Sequence, residues 1–214
     1  MVRLDILSDP ICPWCHIGKA NLDRALATNP GHPFRVEFHP FMLNPDLPPE
    51  GMDRHAYLVA RMGGEEALAQ ADAALAERAE AAGVTIRRFD GQRIPNTLDA
   101  HRLIHWAGIE GRQLAAVSAL FEANFAEGRD IGDRQVLAAI AGEIGLDGDA
   151  IARALATDAD VALIRERDAH ARERGVSAVP TFIIADHYVV RGAQPPDLWE
   201  QVIAEVSAKA GGDA

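Results

Sequence analysis

With 214 residues and a formal charge of −11, from 32 acidic against 21 basic side chains, the chain is a poor partner for nucleic acid or an anionic membrane surface. Apolar residues make up 48% and charged ones 25%, as in globular proteins, and the length allows one full core or one domain with a large insertion. No apolar run reaches the ~18 residues of a membrane span, and two cysteines three residues apart cannot staple a disulfide framework.

Met1-Val-Arg-Leu-Asp5 leads into the first strand without a basic segment or an apolar signal stretch, from which a cytoplasmic location is expected. Leu4 to Leu7 reads as a buried strand and Ser8-Asp9-Pro10 as a turn. Cys12 and Cys15 follow with C-x-x-C spacing, and behind them Ile17, Leu22, Ala25 and Leu26 recur at helical spacing. The motif thus falls at a strand-to-helix junction, Cys12 near the helix N-terminus and Cys15 one turn further in. Unpaired N–H groups and the positive dipole end favour an anion there. A Cys12 thiolate is therefore expected, since C-x-x-C thiols in such places have pKa values of about 3.5–7.

Thr28 to Pro33 is a turn cluster, and Phe34 to His39 alternates as a half-buried strand that puts Glu37 on the solvent face. Pro40, Pro45, Pro48 and Pro49 predict a loop, and from there to about Thr157 no strand is expected. Leu68, Ala71, Leu75, Ala79 and Ala82 keep one helical face, closed by Gly83. Asn96 or Thr97 caps a second helix with Ala100, Leu103, Ile104 and Ala107 inward, stopped at Gly108. Leu114, Val117, Phe121 and Phe125 mark a third ending at Gly128, Asp133 opens a fourth with Val136, Leu137, Ile140 and Ile144, and a fifth holds Ile151, Ala154 and Leu155. A charged helix over Asp158–Arg174 brings the chain back, with Val161 and Ile164 inward. Ala178 to Ile184 reads as a strand, Asp186-His187 as a two-residue turn, and Tyr188 to Val190 as the antiparallel partner. A last helix carries Leu198, Val202, Ile203 and Val206, and Gly211 to Ala214 should fray.

This order is α/β: β-α-β, an all-helical block over 49–156, then α-β-β-α, so that residues 1–48 and 157–214 together make one domain around the insertion. Five stretches carry a resemblance: Cys-Pro-Trp-Cys-His-Ile-Gly-Lys19, Pro-Phe-Met-Leu-Asn-Pro-Asp46, Asn-Thr-Leu-Asp-Ala-His-Arg-Leu103, Gly-Val-Ser-Ala-Val-Pro-Thr-Phe182 and Gly-Ala-Gln-Pro-Pro196. Together they resemble the DsbA family of thioredoxin-fold proteins, most closely its FrnE-like branch, over nearly the whole chain.

The resemblance implies a thiol–disulfide oxidoreductase in which Cys12 is the exposed, attacking cysteine and Cys15 the buried, resolving one. It implies that Pro180 is a cis-proline facing them and that Pro13, Trp14, Val179, Pro180 and Thr181 bind substrate. Trp14 stands where DsbA-type enzymes carry His, which implies a less oxidising disulfide. His16, His39, Asn96 and His101 either line the groove between the two halves or serve packing and hydrogen bonding within the fold.

Partners are then protein or small-molecule thiols and disulfides, without nucleic acid or membrane; monomer and homodimer both stay open. The same scaffold houses glutathione-dependent enzymes, the 2-hydroxychromene-2-carboxylate isomerases and kappa-class glutathione transferases, generally with Ser at the position of Cys12. Glutathione is thus the alternative to having no cofactor. Cys12-Pro-Trp-Cys-His16 also spells the c-type haem attachment pattern, which requires export, and a structural zinc wants four ligands where no second pair exists, so no metal is expected.

Overall fold

The computed structural model describes residues 1–212; Asp213 and Ala214, part of the expected fray, lie outside the described residues, and Gly211 and Gly212 belong to the last helix. A four-stranded sheet has the order β2-β1-β5-β6. β1 (Val2–Ser8) runs parallel to β2 (Phe34–Pro40) with Leu4 opposite Val36, and antiparallel to β5 (Thr181–Ile184) with Leu4 opposite Ile184. β1 is buried without interruption from Leu4 to Ser8 because both faces of the sheet are covered. Leu4, Ile6, Phe34, Phe38, Phe182 and Ile184 join one apolar cluster with residues of α1 (Pro13–Thr28), while Leu7 and Ile183 point the other way, to Phe41 and Ala171. The alternation of strand side chains makes this two-sided packing possible.

The β5–β6 hairpin differs from expectation in its bounds. Strand β5 starts only at Thr181, after the Val179–Pro180 bond, because proline offers the ladder no N–H. Its turn to β6 (Tyr188–Arg191) has three residues, 185–187, with Ala185 and Asp186 at φ 53° and 61°. The closing helix, α9 (Pro196–Gly212), buries Trp199 completely, its indole meeting Phe182 edge-on at 4.7 Å between ring centroids.

Between β2 and the return helix lie α2 (Arg54–Met62), α3 (Glu65–Ala82), α4 (Leu98–Ile109), α5 (Gln113–Phe125), α6 (Arg134–Glu143) and α7 (Gly148–Leu155). Three expectations are corrected here: a loop throughout the proline-rich stretch, no strand before Thr157, and an inward Leu114. The proline-rich stretch ends in a helix, α2, that Asp53 caps by accepting the Ala56 N–H at 2.7 Å. That cap belongs to a small two-stranded sheet, β3 (Met52–Asp53) with β4 (Arg93–Ile94), secured by the Arg93 guanidinium donating to the Glu50 and Gly51 carbonyls at 2.6 and 2.9 Å. Leu114 is 46% exposed rather than inward, at the same corner as the exposed Ile109. The buried stripe of the block (Leu103, Val117, Leu120, Phe121, Phe125, Leu137, Ile140, Leu155) continues into the cluster beneath the sheet.

The return helix, α8 (Val161–Glu173), is anchored through Arg102, which is 0% exposed. Its guanidinium donates to the carbonyls of Ala154 (2.9 Å), Thr157 (2.8 Å) and Ala159 (2.7 Å) and to Asp99 (2.6 Å), and stacks on Trp106 at 4.8 Å. The last carbonyls of a helix have no partner within it. Arg102 supplies one for α7 and pins the α7–α8 corner to α4. Arg102→Met, which fills the space without donors, should lower the unfolding free energy by about 3 kcal/mol or more; urea denaturation checks this, and a loss below about 1 kcal/mol would show the network to be dispensable.

Candidate active site

The turn from β1 into α1 fixes the two sulfurs. Cys12 is the N-cap of α1, in extended conformation (φ −86°, ψ 112°), Pro13 opens the helix, and the Cys12 carbonyl accepts the N–H groups of Cys15 at 3.0 Å and His16 at 3.3 Å. Both cysteines are free thiols. The expected contrast in exposure is corrected: Cys12 is 3% and Cys15 2% exposed. The segment before Pro180 covers Cys12, whose S–H donates to the Val179 carbonyl at 3.7 Å. The two sulfurs differ in what each faces. Cys12 borders a cavity of about 580 Å³, which Cys15 does not reach.

Cys15 lies beneath Cys12. Burial pushes its thiol well above the ordinary value, and the neighbouring Cys12 sulfur pushes it further, while the Asp9 backbone N–H and the Ser8 hydroxyl act the other way. The Asp9 side chain, 0% exposed, accepts N–H bonds from Leu43 at 2.6 Å and Ile11 at 3.3 Å. Burial nevertheless raises its carboxyl to about 7.

The Val179–Pro180 peptide bond is cis. Pro180 is buried against α1 at Gly18: a methyl added at Gly18 would come within 3.1 Å of the Pro180 ring, so glycine there lets helix and proline meet. Pro13, Trp14 and Val179 border the cavity with Cys12; Pro180 and Thr181 do not, and the Thr181 hydroxyl is engaged by the Ala178 carbonyl at 2.8 Å. Trp14, 40% exposed, is the aromatic wall at the cavity mouth.

The remaining candidates lie elsewhere. His16 stacks on Phe125 at 5.7 Å and tilts over Phe121 at 5.0 Å; burial, then Lys19, lowers it to about 4. His39 meets Asp5 at 2.9 Å and, with His101, borders a separate space of about 20 Å³, the size of a water. His101 is buried, lowered to about 4 by desolvation, with Nε2 3.8 Å from Asp9. Asn96 donates to the Leu47 carbonyl at 2.5 Å and accepts the Leu98 N–H at 3.0 Å, capping α4. Asp5, Glu37 and His39 bring ligand-type atoms within 4.8 Å of one another, and Arg3 already pairs with Asp5 at 2.8 Å. Residues not singled out in the sequence also line the large cavity: Asn44 and Tyr57, joined by a hydrogen bond of 2.8 Å, and Arg54, Arg61, Arg87 and Arg88. The Asp53 cap was the readable signal for the Arg54–Tyr57 helix.

Asp9 gives a pH signature. Between pH 4 and 7 the folded protein holds a proton that the unfolded chain has lost, so this contribution to stability is full below about pH 4 and falls away as pH rises to 7. Asp9→Asn cannot ionise and keeps an acceptor for Leu43. Wild-type stability should therefore fall relative to Asp9→Asn by at most about 1.4 kcal/mol per pH unit over that window and level off above it. His16 and His101 act in the opposite direction and are common to both proteins. Urea midpoints from pH 4 to 8 check this; parallel curves would contradict it.

The solved structure of a probable DsbA oxidoreductase, SCO1869 from Streptomyces coelicolor, superposes with a TM-score of 0.86 at 30% identity, over 97% of this chain and 91% of that one. A 2-hydroxychromene-2-carboxylate isomerase shares the fold at 18% identity, with a TM-score of 0.74 over 99% of both chains. The uncharacterized protein YwbO of Bacillus subtilis (strain 168) is 31% identical over 209 residues, 97% of this chain and 98% of its own length. Residues 3–204 match the DSBA-like thioredoxin domain, and the chain belongs to that family of thioredoxin-fold oxidoreductases.

Proposed function

We propose that this protein catalyses thiol–disulfide exchange through Cys12 and Cys15, in a reducing compartment such as the cytoplasm. The observation that carries the reading is the stacking of the two thiols at one helix N-terminus, with only Cys12 bordering a cavity. The Cys12 thiolate attacks one sulfur of a substrate disulfide R–S–S–R. A Cys12–S bond forms, the substrate S–S bond breaks, and one R–S⁻ leaves and takes a proton. Cys15 then attacks the Cys12 sulfur as its proton passes to the leaving group; the second sulfur departs as R–SH, and Cys12–Cys15 becomes the disulfide. Two electrons pass from protein to substrate, and a thiol reductant restores the dithiol; run backwards, the steps oxidise a dithiol. Burial, and then the neighbouring Cys12 sulfur, raise the proton affinity of Cys15 and keep it a thiol until Cys12 is engaged. The bend at Ala178–Val179 and the Trp14 ring supply the substrate-facing walls.

Reduction of hydroxyethyl disulfide or insulin, driven by a thiol reductant, tests the mechanism. Cys12→Ser should fall to the uncatalysed background, and Cys15→Ser should accumulate a mixed disulfide visible as a mass increase of the intact protein. Undiminished turnover by Cys12→Ser refutes the mechanism. Full activity of Cys15→Ser, with no trapped adduct, would show that exchange proceeds through Cys12 alone, and absence of disulfide reduction by the wild type would favour the glutathione-dependent isomerase reading, in which the reacting sulfur belongs to glutathione.

A further inference from the structure

The cavity beside Cys12 carries a charge that the exchange chemistry does not require. The protein as a whole is at −11, yet Arg54, Arg61, Arg87 and Arg88 line this space against a single acid, Asp72. Asp72 is already held by Arg88, with Nε to Oδ2 at 2.9 Å. Arg54 opens α2 and is only 8% exposed; its Cζ stands 5.8 Å from the centre of the Phe125 ring, and its Nε and Nη1 have no hydrogen-bond partner among the described residues. The Asn44 amide nitrogen, on the same cavity, is likewise buried without a partner. Buried donors left unmet are costly, and a buried guanidinium more so. Among the described residues nothing meets them. All of the unmet atoms on this wall are donors, and a planar guanidinium matches a carboxylate in two parallel bonds.

We infer that the cavity is a binding site for a low-molecular-weight thiol or disulfide bearing a carboxylate, with Arg54, assisted by Asn44, holding the carboxylate while the substrate sulfur reaches Cys12. This rests on the exchange reading for the role of Cys12, and it names the substrate class of that site. About 580 Å³ suits a peptide of a few residues. Tyr57, Leu68 and Leu75, on α2 and α3, give the cavity apolar walls beside the guanidinium. Burial and the facing Arg88 charge lower Arg54 to about 10, which leaves it a cation at neutral pH.

S-methylglutathione, a thioether that carries both carboxylates and cannot exchange, separates this inference from the redox reading. By calorimetric titration it should bind the wild-type protein, and its dimethyl ester, with both carboxylates blocked, should bind about tenfold or more weakly. Arg54→Gln should weaken the acid by a similar factor with little effect on the ester, and Arg54→Lys should restore part of the loss. In turnover, the preference for glutathione disulfide over the neutral hydroxyethyl disulfide should fall at least about tenfold in Arg54→Gln, a ratio insensitive to any loss of folded protein. Equal affinity for acid and ester, absence of binding by either, or an unchanged affinity and substrate ratio in Arg54→Gln each overturns the inference. Arg54-dependent binding in a protein whose exchange ignores Cys12→Ser would leave the carboxylate site standing and remove the redox reading alone.

Discussion

The whole site depends on where the first helix is allowed to begin. A sulfur gains from a helix N-terminus only if its residue stands outside the helix while its neighbours' N–H groups point toward it. Strand β1 must therefore end at Ser8 and the chain must reverse within a few residues. Asp9 holds that reversal, one carboxylate oxygen on Ile11 and the other on Leu43 beyond β2. Its burial keeps the carboxyl reluctant to ionise, so the brace combines hydrogen bonding with a strained electrostatic position. Gly18 and Pro180 set the second limit, drawing α1 against the chain that precedes β5. Cys12 is left between a carbonyl and a cavity.

Two sulfurs of the same type thus occupy different electrical surroundings. Cys15 has protein on every side and a like-charging neighbour, and holds its proton. Cys12 opens onto a space ringed by arginines in an otherwise acidic protein. Long-range attraction of anions to so negative a chain is weak, so whatever these arginines contribute acts at short range, inside the cavity.

Much of this was legible in the sequence because it is written in local chemistry. The apolar run of β1, the C-x-x-C spacing, the glycine stop at Gly83 and the cap at Asp133 each act over a few residues, and each element stands where those signals put it, whereas α5 ends at Phe125, short of the stop read at Gly128. Other parts were hidden because they are relations through space. Strands β3 and β4 are two residues each and exist only through Arg93 and their mutual pairing. Trp199 sits in a stretch that reads as an ordinary amphipathic helix, and only the sheet beneath decides that it is the residue sealed inward. For Asn96 and His101, in the Asn-Thr-Leu-Asp-Ala-His-Arg stretch, the sequence left groove lining and hydrogen bonding within the fold both open. In the fold its Asn96 caps, its Arg102 gathers carbonyls, and burial pushes its His101 toward the neutral form beside Asp9. Arg54 shows the limit most clearly: a surface-type residue at a helix start becomes a buried donor only because Phe125, far along the chain, lies across from it.

The sheet has one further consequence, for how the chain comes into being. Leu4 pairs with Ile184, so β1, inner in the sheet, is made long before its antiparallel neighbour. At 5–20 residues per second the ribosome needs roughly ten to forty seconds to bridge that interval. During that time β1 has β2 on one edge and an open ladder on the other, the kind of exposed edge that recruits foreign strands. The helices built in between are dominated by local contacts, which form quickly once their residues emerge. The insertion can therefore serve biogenesis as well as the site, by covering α1 while the nascent sheet waits for its second half.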